Sequence, residues 1–597
     1  MGSKGKAGIA AMLLVLALVA GLYLSGYMTL MLLKLQVPLK ATTYLDYWRA
    51  LDLPQVQPYV TRIKISGIIG FGLPLVTWLL LLIPVLRKKQ QSLHGQASFA
   101  TVGDLKKAGM LEKKPESILV GKLGGRYIYI NGALHVIVVA PTRSGKTTSI
   151  AIPVLLTYQQ SMVVLDLKGE LFKATSGYRA SQGQKIYVWA PYATNGQTHR
   201  FNPLTLVPED PRERIASIQT MAAILYPDEP GKDAFWVTQA RTAFTAFASY
   251  MFERWDNMRN MQFPGVEDPN TSELFPSFER ILRVSTGGSD GEKTSDMLKR
   301  ILANKNYNYI SPQTRSTFSA LAGLAEQTFS SVMATMQAPL QQFLSPILAA
   351  ATNATDIDVT AIRKRLTTVY VIIPTQKLDE SSKLLNIFFS SVIGNNLDKQ
   401  LNEDPKLKYQ MLMLMDEFTA MGRVDVWSKR ISISASYGVR DLCIIQSQSQ
   451  LRATYGADDA QNFITNHAAS IVFTPREQED ANAYSDMLGY TTIRKRHRST
   501  SKGGGGSNVS YNFTEERRAL MLPQEIKELP GNDELLFFEG SKPIRCEKNW
   551  FFKDKVLKGH AASPPIEIKA IQNPPQATAV EYVVKAKSTR VAAALSD

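Results

Sequence analysis

The stretch His135-Val-Ile-Val-Val-Ala140-Pro-Thr-Arg-Ser-Gly145-Lys146-Thr147-Thr148 joins a β-branched run to a loop of small and cationic residues, and a helical stretch follows. A buried strand feeding a loop at a helix start turns backbone N–H groups towards an anion, and the helix N-terminus adds partial positive charge. The pattern is a Walker A phosphate loop with Ala140 in place of the first glycine. Ala140, Pro141, Thr142, Arg143, Ser144, Gly145, Lys146, Thr147 and Thr148 are therefore the expected nucleotide-binding segment. Lys146 is expected to reach the β- and γ-phosphates and Thr147 to hold Mg²⁺. Gly145 keeps clear the space that a side chain would crowd. ATP and Mg²⁺ are the expected ligands.

Such a site needs an acidic residue at the end of a second buried strand. Tyr409-Gln-Met-Leu-Met-Leu-Met-Asp416-Glu417 is an unbroken apolar run closing on two carboxylates. Asp416 is expected to hold Mg²⁺ and Glu417 to polarise the attacking water. An Asp-Glu pair after a strand is otherwise a common helix cap; its pairing with the Walker A loop favours the functional reading. Gln446, in Ile444-Ile-Gln-Ser-Gln-Ser-Gln450, ends the next apolar run and is a candidate for orienting water, weighed evenly against an ordinary polar strand end. If the chain forms a ring, a neighbour's arginine should complete the site; Arg430 and Arg440 are equal candidates.

Around these motifs lie short β-branched runs at His135–Val139, Met162–Asp166, Lys185–Trp189, Thr368–Ile373, Gln410–Asp416, Leu442–Ile445, Ser470–Phe473 and Glu534–Phe538. Several are continuously apolar, as parallel strands covered on both faces are. Alternation with helical stretches predicts a doubly wound α/β core. Between about Thr205 and Arg365 the strand signal vanishes and apolar residues recur at helical spacing, so an all-α insertion is expected there. It accounts for the long gap between Lys146 and Asp416.

Ala7 to Leu33 carries no charged side chain, and neither does Ile65 to Leu86, which ends against Arg87-Lys88-Lys89. About 20 apolar residues cross a bilayer as a helix, so two spans are expected, at about 8–33 and 65–86. The first is longer than the apolar run of a signal peptide, and a second span follows it. Tyr44, Tyr47, Trp48 and Tyr59 in the loop between them suit the membrane interface. Lys and Arg counts on the two sides of the hairpin tie; the need for ATP puts both termini and the bulk of the chain in the cytoplasm, with the short loop outside.

The full chain has 597 residues, 45% hydrophobic and 20% charged, with a formal charge of +16. That excludes a disordered chain and suggests three or four domains. The positive excess suits an anionic partner, or equally the cytoplasmic face of a membrane protein. Cys443 and Cys546 are the two cysteines. With no Cys-x-x-Cys and no Cys/His cluster along the chain, neither a disulfide framework nor a zinc site is suggested.

Two segments read as mobile. Arg494-Lys495-Arg496-His497-Arg498 leads into Gly503–Gly506, a basic, glycine-rich loop read as solvated in preference to nucleic-acid-binding. Residues 559–597 mix Pro, Ala and Lys and are expected to be disordered. The expected plan is a membrane hairpin at 1–90, a nucleotide-binding domain at 91–204 and 366–558, an all-α domain at 205–365, and that tail.

Further stretches carry a family resemblance: Gly95-Gln-Ala-Ser-Phe-Ala-Thr101, Asp166-Leu-Lys-Gly-Glu-Leu171, Phe201-Asn-Pro-Leu204, Phe235-Trp236, Met415-Asp-Glu-Phe418, Tyr455-Gly456, Leu488-Gly489, Leu522-Pro-Gln-Glu525 and Pro543-Ile544. With the Ala140–Thr147 loop they make the chain resemble the TraG/VirD-type coupling proteins of type IV secretion and conjugation. The resemblance implies a RecA/FtsK-like P-loop domain with an all-α insertion, and a hexameric ATPase of the bacterial inner membrane. It also implies partners: relaxase-bound single-stranded DNA or protein effectors, and the channel and ATPase subunits of the secretion system. A system devoted to protein effectors, or a docking scaffold with a vestigial site, are the competing readings. The tail is not acidic, which puts electrostatic cargo docking by it in doubt.

Overall fold

The computed structural model describes residues 3–86, 95–228, 234–263, 265–288, 291–503 and 506–571. The basic flank Arg87–Lys89 and residues 572–597 of the expected tail lie outside them. The chain divides into two units, Met1–His94 and Gly95–Asp597.

In the first unit, helices Ser3–Leu33 and Val60–Leu86 pack antiparallel, joined through the short helix Thr43–Arg49. Polar contacts join the helices towards both ends: Thr29 Oγ1 and Ser66 Oγ share a hydrogen bond of 2.6 Å, and Trp78 Nε1 donates to Ala10 O at 3.0 Å. Gly70 faces the Ser25 backbone so closely that a Cβ would collide with it. Small residues that let helix backbones approach, with hydroxyls bonded across, are what holds helices together in lipid. Outward-facing residues such as Met12, Leu16, Ile68 and Leu80 are exposed. Gly8–Leu33 and Gln57–Ile83 are long and apolar enough to span a bilayer, and they fit membrane anchoring.

Among its described residues the second unit has thirteen strands: β1 (Ile118–Leu123), β2 (Arg126–Ile130), β3 (Val136–Val139), β4 (Ser161–Asp166), β5 (Lys185–Trp189), β6 (Thr367–Ile372), β7 (Met411–Met415), β8 (Val439–Ile445), β9 (Ala469–Val472), β10 (Tyr490–Gly503), β11 (Gly506–Ala519), β12 (Asp533–Phe538) and β13 (Ile544–Glu547). Eleven form one sheet in the order β2-β1-β13-β12-β9-β3-β8-β7-β4-β6-β5. From β9 to β5 every pairing is parallel. From β2 to β12, and from β12 to β9, every pairing is antiparallel. All eight expected core strands are present, and seven of them form the parallel part; Glu534–Phe538 (β12) pairs antiparallel instead.

The apolar run of β7 now has its reason. Met411, Met413 and Met415 enter one core cluster and Leu412 and Leu414 the other, so both faces of the strand are covered. Among the described residues between Thr205 and Arg365 there are helices and no strand, the longest being Ala234–Asn260. Phe244, Phe247, Phe278 and Phe318 of this helical stretch share one cluster with Trp189, Phe201 and Phe388, so its core is continuous with that of the sheet.

Two expectations fail. The basic segment 494–498 is no loop: β10 and β11 pair antiparallel in one register from Tyr490–Ala519 to Gly503–Gly506. Arg496 lies 3.5 Å above the Tyr511 ring and Arg494 lies over Phe513. Alternating cation and aromatic neighbours on one face support a ribbon that charge content alone conceals. The tail does not loosen at Gly559. The helix Lys555–Ala561 packs on Glu170–Ser181, Ile566 N donates to Ser176 Oγ at 3.3 Å, and Ile571 N donates to Gly196 O at 2.9 Å. Ile566 and Ile568 pack against the core, which pins this Pro-rich stretch.

Candidate functional site

The site forms where β3, β7 and β8, adjacent parallel strands, end side by side. After β3 the chain turns through Arg143 (φ +63°) and Gly145 (φ +88°). The second position needs glycine twice over: its backbone is left-handed, and a Cβ there would collide with the Trp550 ring. The following helix starts with a wide π-type turn, Thr147–Ala151, in which Ile152 N donates to Thr147 O. Wide turns of this kind are frequent where a helix start is shaped by function.

The two halves expected from sequence meet. Lys146 is buried, its Nζ donates to Asp416 O at 3.1 Å, and it forms an ion pair with Glu417 Oε1. Thr147 Oγ1 lies 3.1 Å and 3.3 Å from the two Asp416 carboxylate oxygens. The other Glu417 oxygen accepts from Gln446 Nε2 at 3.3 Å. Lys146, Thr147, Asp416, Glu417 and Gln446 therefore form one connected polar set. Burial pushes the Asp416 carboxyl up to about 6; Lys146 opposes the rise, while Glu417 and Asp166 add to it.

A divalent cation and a polyanion fit this chemistry. Thr147 and Asp416 offer hard oxygen donors, as Mg²⁺ requires. Clustered carboxylates beside one ammonium, on a left-handed loop at a helix start, can hold a phosphate chain once a cation balances them.

Further side chains surround the set. Asp166 ends β4 beside β7 and is buried; its carboxylate accepts from Phe172 N at 2.8 Å. Lys168 and Glu170, one turn on, are exposed. Arg476 donates to Thr142 O at 3.0 Å and Lys548 to Ser144 O at 3.3 Å. Phe551 N donates to Thr148 O at 3.2 Å. Arg476, Lys548 and Phe551 come from beyond β9 and β13, far away along the chain, and no spacing could have announced them.

The two candidate arginines separate. Arg440 is fully buried, with Nε donating to Leu134 O at 2.9 Å and Nη1 to Glu116 O at 2.6 Å, so it cannot reach a neighbouring subunit. Arg430 is exposed on the helix Asp425–Ser434.

Known proteins resemble the chain along most of its length. VirD4 of Rhizobium radiobacter is 26% identical over 488 residues, covering 79% of this chain and 66% of VirD4, just short of two-thirds of that relative. TraG, a conjugal transfer protein of Escherichia coli, is 25% identical over 526 residues, 80% of this chain and 79% of TraG. Among solved structures, the bacterial conjugative coupling protein TrwB lacking its N-terminal segment superposes with a TM-score of 0.52 at 15% identity, over 82% of this chain and 97% of that one. TrwB in complex with ADP and Mg²⁺ gives 0.51 at 14%. The fold is thus that of TrwB. A sequence model of the type IV secretory system conjugative DNA transfer proteins matches residues 87–581, and the chain belongs to that family.

Proposed function

We propose that the protein is the membrane-anchored coupling ATPase of a type IV secretion or conjugation system, which hydrolyses ATP to deliver substrate to the secretion channel. One observation carries the reading: Lys146, Thr147, Asp416, Glu417 and Gln446 form a single bonded set at the ends of three adjacent parallel strands. Membership of the family supports it, as does the relation to TrwB, whose structures contain ADP and Mg²⁺.

Bound ATP·Mg²⁺ supplies the phosphoanhydride to be split and the cation that shields its charge. The backbone of Ala140–Thr148 holds the phosphates and Lys146 neutralises them. Thr147 and Asp416 hold the metal. Glu417 accepts a hydrogen bond from the attacking water, and the Gln446 amide keeps that carboxylate in place. Arg430 is the remaining candidate for an arginine acting on a neighbour in a homo-hexamer. The helical stretch 205–365 forms an all-α domain, and the hairpin at 1–90 sits in the inner membrane with the bulk of the chain in the cytoplasm. The substrate is single-stranded DNA attached to a relaxase; the net charge of +16 supports a polyanion. Protein effectors are the alternative cargo.

The full-length protein in liposomes should hydrolyse ATP, and Lys146→Ala should abolish turnover while sparing DNA binding. Single-stranded DNA affinity should fall steeply with salt, since neutralised phosphates release counterions. Equal turnover in wild type and Lys146→Ala would refute the assignment, and a salt-independent affinity would remove DNA as the direct ligand.

A further inference from the structure

Along β8, short of the end that meets the Ala140–Thr148 loop, lies a second constellation. Asp441 and Cys443 are two residues apart on β8, so their side chains share a face. His467 caps the helix Ala457–Asn466 just before β9. β8 and β9 flank β3, and the side chains of these two separate segments converge over it. One carboxylate oxygen of Asp441, Cys443 Sγ and one ring nitrogen of His467 lie within 4.8 Å of one another, and all three residues are buried.

The hydrogen bonds around the trio point inward. His467 Nδ1 lies 2.7 Å from Phe463 O, a pure acceptor, so that nitrogen carries the proton and Nε2 presents a lone pair. Asp441 Oδ2 accepts from Trp427 Nε1 at 2.6 Å. His467 Nε2 and Asp441 Oδ1 are buried without a hydrogen-bond partner. Two orphaned acceptors beside a thiol are costly in a protein interior, and another acceptor cannot satisfy them. A histidine whose far nitrogen is tied to a carbonyl, next to a carboxylate oriented by an N–H donor, is the usual outer support of metal ligands.

We propose that Asp441, Cys443 and His467 form a buried structural site for a thiophilic divalent cation of the zinc class. Thiolate, imidazole and carboxylate together select such an ion over Mg²⁺ or Ca²⁺, which take oxygen donors. Tetrahedral coordination places ligand atoms about 3.5 Å apart, so the trio needs to close by at most about 1.3 Å. Binding exchanges the Cys443 thiol proton for the metal, releasing one proton to solvent. His135, just before the intervening strand, packs beside the trio: its ring centroid lies 5.7 Å from that of His467, and its Nδ1 accepts from Asp441 N at 3.1 Å. The ion would tie β8 to the helix end preceding β9, across the strand that leads to the Ala140–Thr148 loop. Nothing in the chain order hints at this, because Cys443 and His467 sit in separate segments and join no Cys/His motif.

Cobalt is the probe, because a thiolate–cobalt bond gives a charge-transfer band that oxygen ligands at Thr147 and Asp416 do not. Full-length protein in detergent, freed of any affinity tag, is stripped with chelator, reloaded with Co²⁺, and its spectrum recorded. The chain has only two cysteines. The band is expected in wild type and in Cys546→Ser, and to be lost in Cys443→Ser and His467→Gln. Elemental analysis of the untreated protein should give about one zinc per chain. Absence of a thiolate–cobalt band in the wild type overturns the proposal, as does a band that disappears in Cys546→Ser. Both decisive spectra come from proteins that retain all three ligands, so misfolding of a ligand variant cannot blur the outcome.

Discussion

The parallel and antiparallel parts of the one sheet approach the Ala140–Thr148 loop from opposite sides and by different means. The parallel strands bring charge: Lys146 after β3, Asp416 and Glu417 after β7, and Gln446 after β8. The antiparallel edge brings cover. Trp550 lies against Gly145, and Lys548, just past β13, holds Ser144 O. Chemistry placed at the ends of parallel strands needs only that each strand stop at the right residue, which is why ligands gather at those ends. Cover placed from an antiparallel edge needs the whole edge to be folded and docked first. The comparison predicts that damage to the first part removes activity at constant stability, and damage to the second acts through stability and pre-organisation.

Short of removing Lys146, the largest effect should come from Glu417→Gln. The amide keeps the size of the side chain and loses the base, so turnover should fall by about 10²–10⁴-fold. Nucleotide affinity should hold or rise, because a negative charge leaves the site. Equilibrium binding of a fluorescent ATP analogue, read beside turnover, separates the two. A parallel loss of binding and turnover would mean that Glu417 builds the site and does not act on water.

What could be read in advance follows the same division. Continuous apolar runs such as Met411–Met415 are visible because both faces of a parallel strand are buried, and a motif ending on Asp416-Glu417 stays intact along the chain. The edge is harder. Ile544-Arg545-Cys546-Glu547 alternates buried and exposed residues over only four positions, too short to separate from a loop. Gly121 interrupts β1, where a Cβ would crowd Cys546 and Glu534, so the pattern there looks broken when the packing is tight. The β10–β11 ribbon is masked by its charge. His467 and Cys443 carry no local signal at all; only the strand order brings them together.

The edge also stores a titration. Glu534 of β12 is fully buried, with Oε2 unpartnered and Oε1 3.7 Å from Cys546 Sγ. Burial pushes its carboxyl up to about 8, with Lys548 opposing. Below about pH 4.5 the acid is protonated folded and unfolded alike. Between there and about 8 only the unfolded chain gives up its proton, so stability declines as pH rises through that window. Glu534→Gln lacks the ionisable proton. Its unfolding free energy should gain on wild type from pH 5 to 8, by about 1.4 kcal/mol for each pH unit. A constant difference between the two proteins across the range would mean that Glu534 stays ionised, paired with Lys548.

The smallest of these effects tests the cover itself. The Trp550 ring packs on Gly145, and its Nε1 donates to Asn532 Oδ1 at 3.1 Å, which anchors it to the edge. Trp550→Ala leaves every charged group in place and releases the loop at its left-handed turn. The loop must then be ordered when nucleotide binds, and ordering even a few side chains and one turn costs about 1 kcal/mol. Affinity for a fluorescent ADP analogue should drop by about tenfold, ~1.4 kcal/mol. Trp550→Phe keeps an aromatic face over Gly145 and loses only the bond to Asn532, so its affinity should stay within about threefold of wild type. If both variants bind as wild type does, the antiparallel edge shapes the fold but not the site. If Trp550→Ala binds more tightly, the ring is an obstacle to nucleotide, and the edge acts on the loop as a brake.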